Sequence, residues 1–136
     1  MPVVRSAEPS DYSKIAAFDE NKSSTDEVIS SNECYVAVVD DDIRAFAKCT
    51  TWCQYRPYIE RLFVHSEHRR QGLDNVLLVY VESICTHEKL WTSTVITNVP
   101  MQRLLHKRGY QMAGVIDRLG DVPEISYFKD VSNDES

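Results

Sequence analysis

The chain has 136 residues, 43% of them hydrophobic and 26% charged, the balance of one soluble globular domain rather than a fibrous, low-complexity or disordered polymer. Fifteen Lys and Arg against 21 Asp and Glu leave a net charge of -6. That argues against nucleic acid as a partner, because phosphates demand a cationic face. The longest fully apolar run, Val76 to Val81, falls far short of the ~18 residues of a membrane span. The opening Met1-Pro2-Val3-Val4-Arg5-Ser6-Ala7-Glu8 lacks the apolar core of a signal peptide, so the expected location is the cytoplasm, with no membrane partner.

In chain order, Val3-Val4-Arg5 with Ala7 reads as a short strand, and Pro9-Ser10-Asp11 opens a helix with Ile15, Ala16 and Phe18 inward. Asp19 to Ser31 is polar and Ser-rich, a loop with a short helix where a substrate lid could sit. Cys34 to Val39 and Ile43 to Cys49 flank Asp40-Asp41-Asp42 as a hairpin. Tyr58 to His65 continues the meander, with Tyr58, Glu60, Leu62 and Val64 on one face. Leu73, Val76, Leu77, Tyr80, Val81 and Ile84 recur at helical spacing. Trp91 to Thr97 is a strand and Pro100 to Lys107 a short helix stopped by Gly109, with Met101, Leu104 and Leu105 inward. Gln111 to Leu119 and Ile125 to Phe128 are closing strands, and the last eight residues are polar and frayed. A long helix between two strands is what a parallel crossover needs, so the class is mixed α/β with helices on both faces of the sheet. The expected organisation is one domain over residues 1–129 and a polar tail over 130–136.

Cys34, Cys49, Cys53 and Cys85 fit no compact disulfide framework and read as scattered core thiols. Cys49 and Cys53, if on one strand, sit roughly 13 Å apart, too far for one metal ion unless the strand bends. His65 and His68 form a loop pair without a placed third ligand, so no metal is expected.

The segment that carries chemistry is Val64-His65-Ser66-Glu67-His68-Arg69-Arg70-Gln71-Gly72-Leu73, which joins a strand to the long helix. Unpaired amides and about half a positive charge at a helix N-terminus favour an anion. Gly72 allows close backbone approach, and Arg69 and Arg70 add donors. A solvated basic turn is the other reading of these residues.

This stretch resembles the acyl-CoA motif of the GNAT (Gcn5-related) N-acetyltransferases, R/Q-x-x-G-x-G/A. Asn98 ends a strand at the expected distance, and Leu104-Leu105-His106-Lys107-Arg108-Gly109-Tyr110 is similar to a helix end of that family. The resemblance covers roughly Val3 to Lys129 and implies a GNAT fold of about seven strands, with a splayed parallel pair at the CoA site. It implies acetyl-CoA as cosubstrate and an amine acceptor, a small molecule or a protein amino group. Backbone groups of Leu62, Phe63 and Val64 would pair with the pantetheine arm. The amides of Arg69, Arg70, Gln71, Gly72, Leu73, Asp74 and Asn75 would hold the pyrophosphate, and Asn98 would stand beside the thioester. Arg103, Lys107 and Arg108 either add charge near the nucleotide or simply complement their helix dipole.

Three positions depart from the pattern. Asp74 stands where the motif wants Gly or Ala, and its carboxylate competes for the dipole that should bind phosphate, though Asp is also a good first-turn residue. Leu105 stands where many relatives place a Tyr that reprotonates the thiolate. Ser93 replaces a Glu that some relatives carry on the strand after the motif, closing that route to a base. Glu60 is then the candidate general base, partial burial raising its pKa, unless it pairs with a neighbouring cation. A catalytically degenerate GNAT-fold module that binds CoA or a protein is the rival reading. The acceptor pocket is expected from the Asp19–Ser31 and Gly120–Pro123 loops, and the closing strands could pair or swap in a homodimer.

Overall fold

A computed structural model describes residues 1–18, 29–31 and 33–131. In chain order the elements are β1 (Val3–Ser6), α1 (Tyr12–Phe18), β2 (Cys34–Val39), β3 (Asp42–Trp52), β4 (Arg56–Val64), α2 (Leu73–Ile84), β5 (Lys89–Val95), α3 (Val99–Lys107), β6 (Gln111–Ile116) and β7 (Glu124–Asp130). Two 3-10 turns, Pro9–Asp11 and Ser66–His68, precede α1 and α2. The strands join in the order β1-β2-β3-β4-β5-β7-β6, one mixed seven-stranded sheet. β4 and β5 run parallel, with Tyr58 opposite Trp91 and Ile59 opposite Thr92.

Residues cluster into two compact units, Met1–Thr50 with Glu60–Ser83 and Thr51–Ile59 with Ile84–Ser136. In the first, alternation along β2 assigns the helices to opposite faces. Val36 joins Ile15 of α1, Ile29 and Phe46 in one buried cluster, whereas its neighbour Tyr35 meets Tyr80 of α2 with ring centroids 5.4 Å apart. Helix α2 buries Leu73, Leu77, Leu78 and Val81, each worth ~1.5–3 kcal/mol when taken fully out of water. Leu78 is an addition to the expected stripe, and Ile84 at the helix end stays exposed. The hairpin turn is Asp40-Asp41. Both residues have positive φ, as a two-residue type I′ turn requires, and Asp tolerates that region better than most residues. Lys48 is fully buried on β3, its ammonium 5.7 Å from the Phe46 ring.

In the second unit β7 pairs antiparallel with β5 and β6. Helix α3 buries Leu105, its outer neighbour His106 lies edge-on to Tyr127 at 5.6 Å, and Tyr110 beyond the helix is buried too. Strand β7 reaches Asp130, and the Val131 amide bonds the Glu88 carbonyl, so fraying does not begin at Lys129. The expected lid falls on residues that lie mostly outside those described; Ile29 at its end is a core residue.

β3 runs on through Thr50, Thr51 and Trp52, past the expected end at Cys49, and Cys53 lies beyond it in a turn with φ 46°. Cys49 and Cys53 therefore share no strand. The four cysteines are free thiols, but only Cys34 is buried; Cys53 is exposed and the other two are half-buried, which corrects the expectation of four core thiols.

The entry to α1 is pinned by charge. The Asp11 carboxylate accepts two bonds from Arg5, at 2.7 and 3.2 Å, and one from the Glu8 amide at 2.8 Å. The Arg5 hydrogen bond, with the Glu8 amide and the Arg5 charge, outweighs the cost of burial and holds the Asp11 pKa below its ordinary value. A depressed carboxylate stabilises above its unfolded pKa and loses that contribution as pH falls through the folded value. Asp11→Asn is therefore expected to cost about 1–2 kcal/mol near neutral pH. In urea melts across pH, the gap to wild type should close below about pH 4; a gap constant down to pH 2 would contradict this.

Candidate functional site

The strand-to-helix segment lies in the first unit. After Val64, the His65 imidazole accepts the Glu67 amide at 3.2 Å and caps a single 3-10 turn. The chain then extends through Arg69, whose Nε donates to the Val64 carbonyl at 3.2 Å. Phe63 is flanked by two guanidinium groups, Arg61 at 5.0 Å and Arg69 at 5.3 Å from its ring centroid. Such contacts hold the planar cations in place. Arg70 (φ 66°) and Gly72 (φ 76°) are both left-handed, and this turns the chain into α2. A Cβ built on Gly72 would meet nothing within 4 Å, so the space over it is open. Arg69, Arg70, Gln71 and Gly72 are exposed, while Leu73 is buried and anchors the helix start. Open space over a left-handed glycine at the start of a twelve-residue helix, beside two arginines, suits a pyrophosphate.

The second unit carries a polar chain in an aromatic setting. Tyr58 Oη lies 2.6 Å from Ser93 Oγ, and Ser93 Oγ donates to Glu124 Oε1 at 2.7 Å. Trp52 stacks on Tyr58 at 5.0 Å and meets Trp91 at 6.2 Å, and Trp91 meets Phe128 at 5.4 Å. A groove of about 520 Å³ lies beside them, lined by Trp52, Cys53, Arg56, Trp91, Ile116 and Ser126 among others. Asn98, in the same unit, is exposed and is the N-cap of α3, its Oδ1 accepting the Met101 amide at 3.2 Å.

Comparison with protein families matches residues 3–110 to the acetyltransferase (GNAT) family. The chain belongs to the GNAT acetyltransferases. Among solved structures, a GNAT-family acetyltransferase of Bacillus cereus aligns at TM-score 0.88 and 25% identity, over 96% of this chain and 97% of that one. yncA of Salmonella typhimurium, with its cofactor acetyl-CoA, aligns at 0.78 and 16% identity over 99% and 96%. Arabidopsis thaliana Naa50, in complex with the bisubstrate analogue CoA-Ac-MVNAL, aligns at 0.79 and 15% over 95% and 98%. The search of curated proteins returned no match.

Within this GNAT chain the departures take physical form. Asp74, in the first turn of α2, accepts the Asn75 amide at 2.8 Å, occupying one of the donors expected for phosphate. Leu105 is 1% exposed, a core side chain rather than part of a cleft. Glu60 is exposed on β4, which corrects the partial burial expected of it. Glu67 supplies the third donor that the histidine pair lacked on paper. Ligand atoms of His65, Glu67 and His68 all lie within 4.8 Å of one another. His68 also faces Asp42 at 3.8 Å, and Asp42 is tied to Lys14 and Arg44.

Glu124 is a partner in this hydrogen-bond chain that sequence reasoning did not single out. Ser93 was read as closing the route to a base, yet it hands its hydrogen bond to a carboxylate thirty-one residues on. The register that brings them together, Ser93 opposite Ser126 and Val95 opposite Glu124, is a tertiary fact with no local signature.

Gly72→Ala tests the left-handed turn apart from packing. With open space around the new methyl, its cost is conformational, about 1–2 kcal/mol. Thermal denaturation should show that loss with the fold retained; a neutral substitution would mean the turn relaxes.

Proposed function

We propose that the chain is an acetyl-CoA-dependent N-acetyltransferase that moves acetyl directly to an amine, acting in the cytoplasm. The observation that supports it most is the run from Val64 to Asn75, where strand end, left-handed Gly72 and helix start leave amides and open space together. In this reading the amides of Arg69 to Asn75 hold the pyrophosphate, the main chain of Leu62, Phe63 and Val64 pairs with the pantetheine arm, and Asn98 stands near the thioester. Acetyl-CoA supplies an activated acyl group. The chain binds it, orients the amine and takes up its proton. Glu60 keeps a candidacy for that last task by position on β4 alone. The homodimer expected of the closing strands belongs to the same proposal, since β6 ends the sheet order and exposes Met112 and Val115.

A degenerate module that binds CoA or a protein without transfer is the second reading. Asp74, holding the Asn75 amide, favours it.

Titration of acetyl-CoA, with free CoA alongside, into the purified protein separates them by thermal stability. At 100 times the dissociation constant, bound ligand adds ~2.7 kcal/mol, and an amine screen then distinguishes transfer from binding alone. No shift at millimolar ligand would discard acetyl-CoA and leave only a protein-interaction role. Asp74→Gly should tighten binding. A carboxylate roughly 5 Å from a phosphate costs about 1–3 kcal/mol, or about 5- to 150-fold in affinity. An unchanged or weaker dissociation constant would show that Asp74 does not oppose the ligand.

A further inference from the structure

We propose that the turn from His65 to His68 binds a zinc-class divalent ion, with His65, Glu67 and His68 as its protein ligands and water completing the shell. The site is separate from the acetyltransferase reading and needs neither acetyl-CoA nor turnover.

The backbone gathers the three donors. A 3-10 turn repeats every three residues, so positions i and i+3 stack over one another. The His68 amide donates to the His65 carbonyl at 2.8 Å, and the two imidazole centroids lie 5.6 Å apart. One ligand atom from each of His65, Glu67 and His68 lies within 4.8 Å of the other two. Donors bonded to a tetrahedral zinc at ~2.0–2.2 Å stand about 3.3–3.6 Å from one another, so these must draw in by about 1.5 Å at most. The side chains are half-buried or exposed and have room to do so. The turn beneath them is braced on both sides. The His65 amide donates to the Arg44 carbonyl of β3 at 2.8 Å, and Arg69 Nε donates to the Val64 carbonyl at 3.2 Å. A ligand set on a braced turn keeps its geometry better than one on a loose loop.

The donors name the ion. Two imidazoles and a carboxylate suit Zn²⁺ and its neighbours Co²⁺, Ni²⁺ and Cu²⁺, whereas Mg²⁺ and Ca²⁺ take sets of oxygens. Three protein ligands leave a further position for water. A neutral imidazole has a single lone pair to give. His65 on the ion therefore releases the Glu67 amide, which it accepts at 3.2 Å, with any other contact its ring nitrogens make. Glu67 is exposed, so water takes over that amide.

The surroundings support an ion here. A metal-bound imidazole commonly turns its second nitrogen to a carboxylate, which orients the ring. Asp42 stands 3.8 Å from His68 Nε2 and is itself held by Lys14 at 2.9 Å and Arg44 at 3.4 Å. Those two cations are engaged with Asp42, and the guanidinium groups of Arg61 and Arg69 lie over the Phe63 ring.

The test takes the untagged full chain, freed of metal by a chelator, and titrates Zn²⁺ by calorimetry and Co²⁺ by visible absorption. It is run at about pH 7.5, above the ordinary imidazole pKa of ~6.5. The expected result is one ion per chain, with the intense d–d bands of four- or five-coordinate cobalt and none of the charge-transfer bands that a cysteine thiolate would add. His65→Ala and His68→Ala should each weaken zinc binding at least about tenfold, because losing even a group that only orients a ligand costs about 10- to 100-fold. His87→Ala and His106→Ala should leave the isotherm unchanged. In a proton–nitrogen correlation spectrum of the wild type, Zn²⁺ should move the amides of residues 65–69 first, Glu67 among them. That spectrum reads the site even where a variant fails to fold. Zinc binding that survives both histidine substitutions, a thiolate band, or amide shifts centred elsewhere overturns the site. Mg²⁺ competing on equal terms overturns the class of ion, and a zinc Kd weaker than about 1 mM overturns the proposal as a whole.

Discussion

The two-residue parallel ladder between β4 and β5 sets the terms for the rest of the chain. Tyr58 opposite Trp91 and Ile59 opposite Thr92 are its registered pairs, and Thr92 Oγ1 reinforces it from inside, donating to the Ile59 carbonyl at 3.1 Å. Parallel neighbours cannot be joined by a tight turn. The chain must leave the end of β4, reverse and come back, and the stretch from His65 to Glu88 does so through a 3-10 turn, two left-handed residues and α2. The left-handed turn and open helix start of that stretch are by-products of the return path. A helix that must start abruptly after a strand has amides with no intrahelical partner, and the residue that turns into it is best a glycine.

Within the second unit, antiparallel register does what proximity in sequence cannot. Residues directly opposite share a face, so Ser93 with Ser126, and Val95 with Glu124, bring hydroxyls and a carboxylate alongside Trp91 and Phe128. Polar groups set in aromatic surroundings interact strongly, because little water competes for them. Ser93 is satisfied on both sides, whereas Ser126 has no described partner.

Much of the fold was legible, for local reasons. The stripe of α2, the acidic two-residue turn and the strand alternation follow from periods of 3.6 and 2 and from which residues accept positive φ. Gly72 was legible for the same reason. Opaque features were those set by distant strands. Glu60 alternates onto the face predicted for it, yet whether that face is covered depends on elements elsewhere, and there it is exposed. Leu105 falls on a helical stripe, and burial rather than chemistry explains it. Cys53 read as strand because Thr50, Thr51 and Trp52 before it favour β structure. The turn that removes it carries no glycine or proline to announce itself.

That turn has a cost. Cys53, Gln54 and Tyr55 have φ of 46°, 70° and 66°, three successive non-glycine residues in the left-handed region. At about 1–2 kcal/mol each, the strain approaches ~3–6 kcal/mol, a large share of the ~5–15 kcal/mol by which domains are stable. Arg56 returns part of it by donating to the Cys53 carbonyl. Glycine or asparagine at these positions would take the same φ with less strain. Cys53 and Gln54 also wall the groove, so the strain of this turn is stored in the backbone that shapes that cavity.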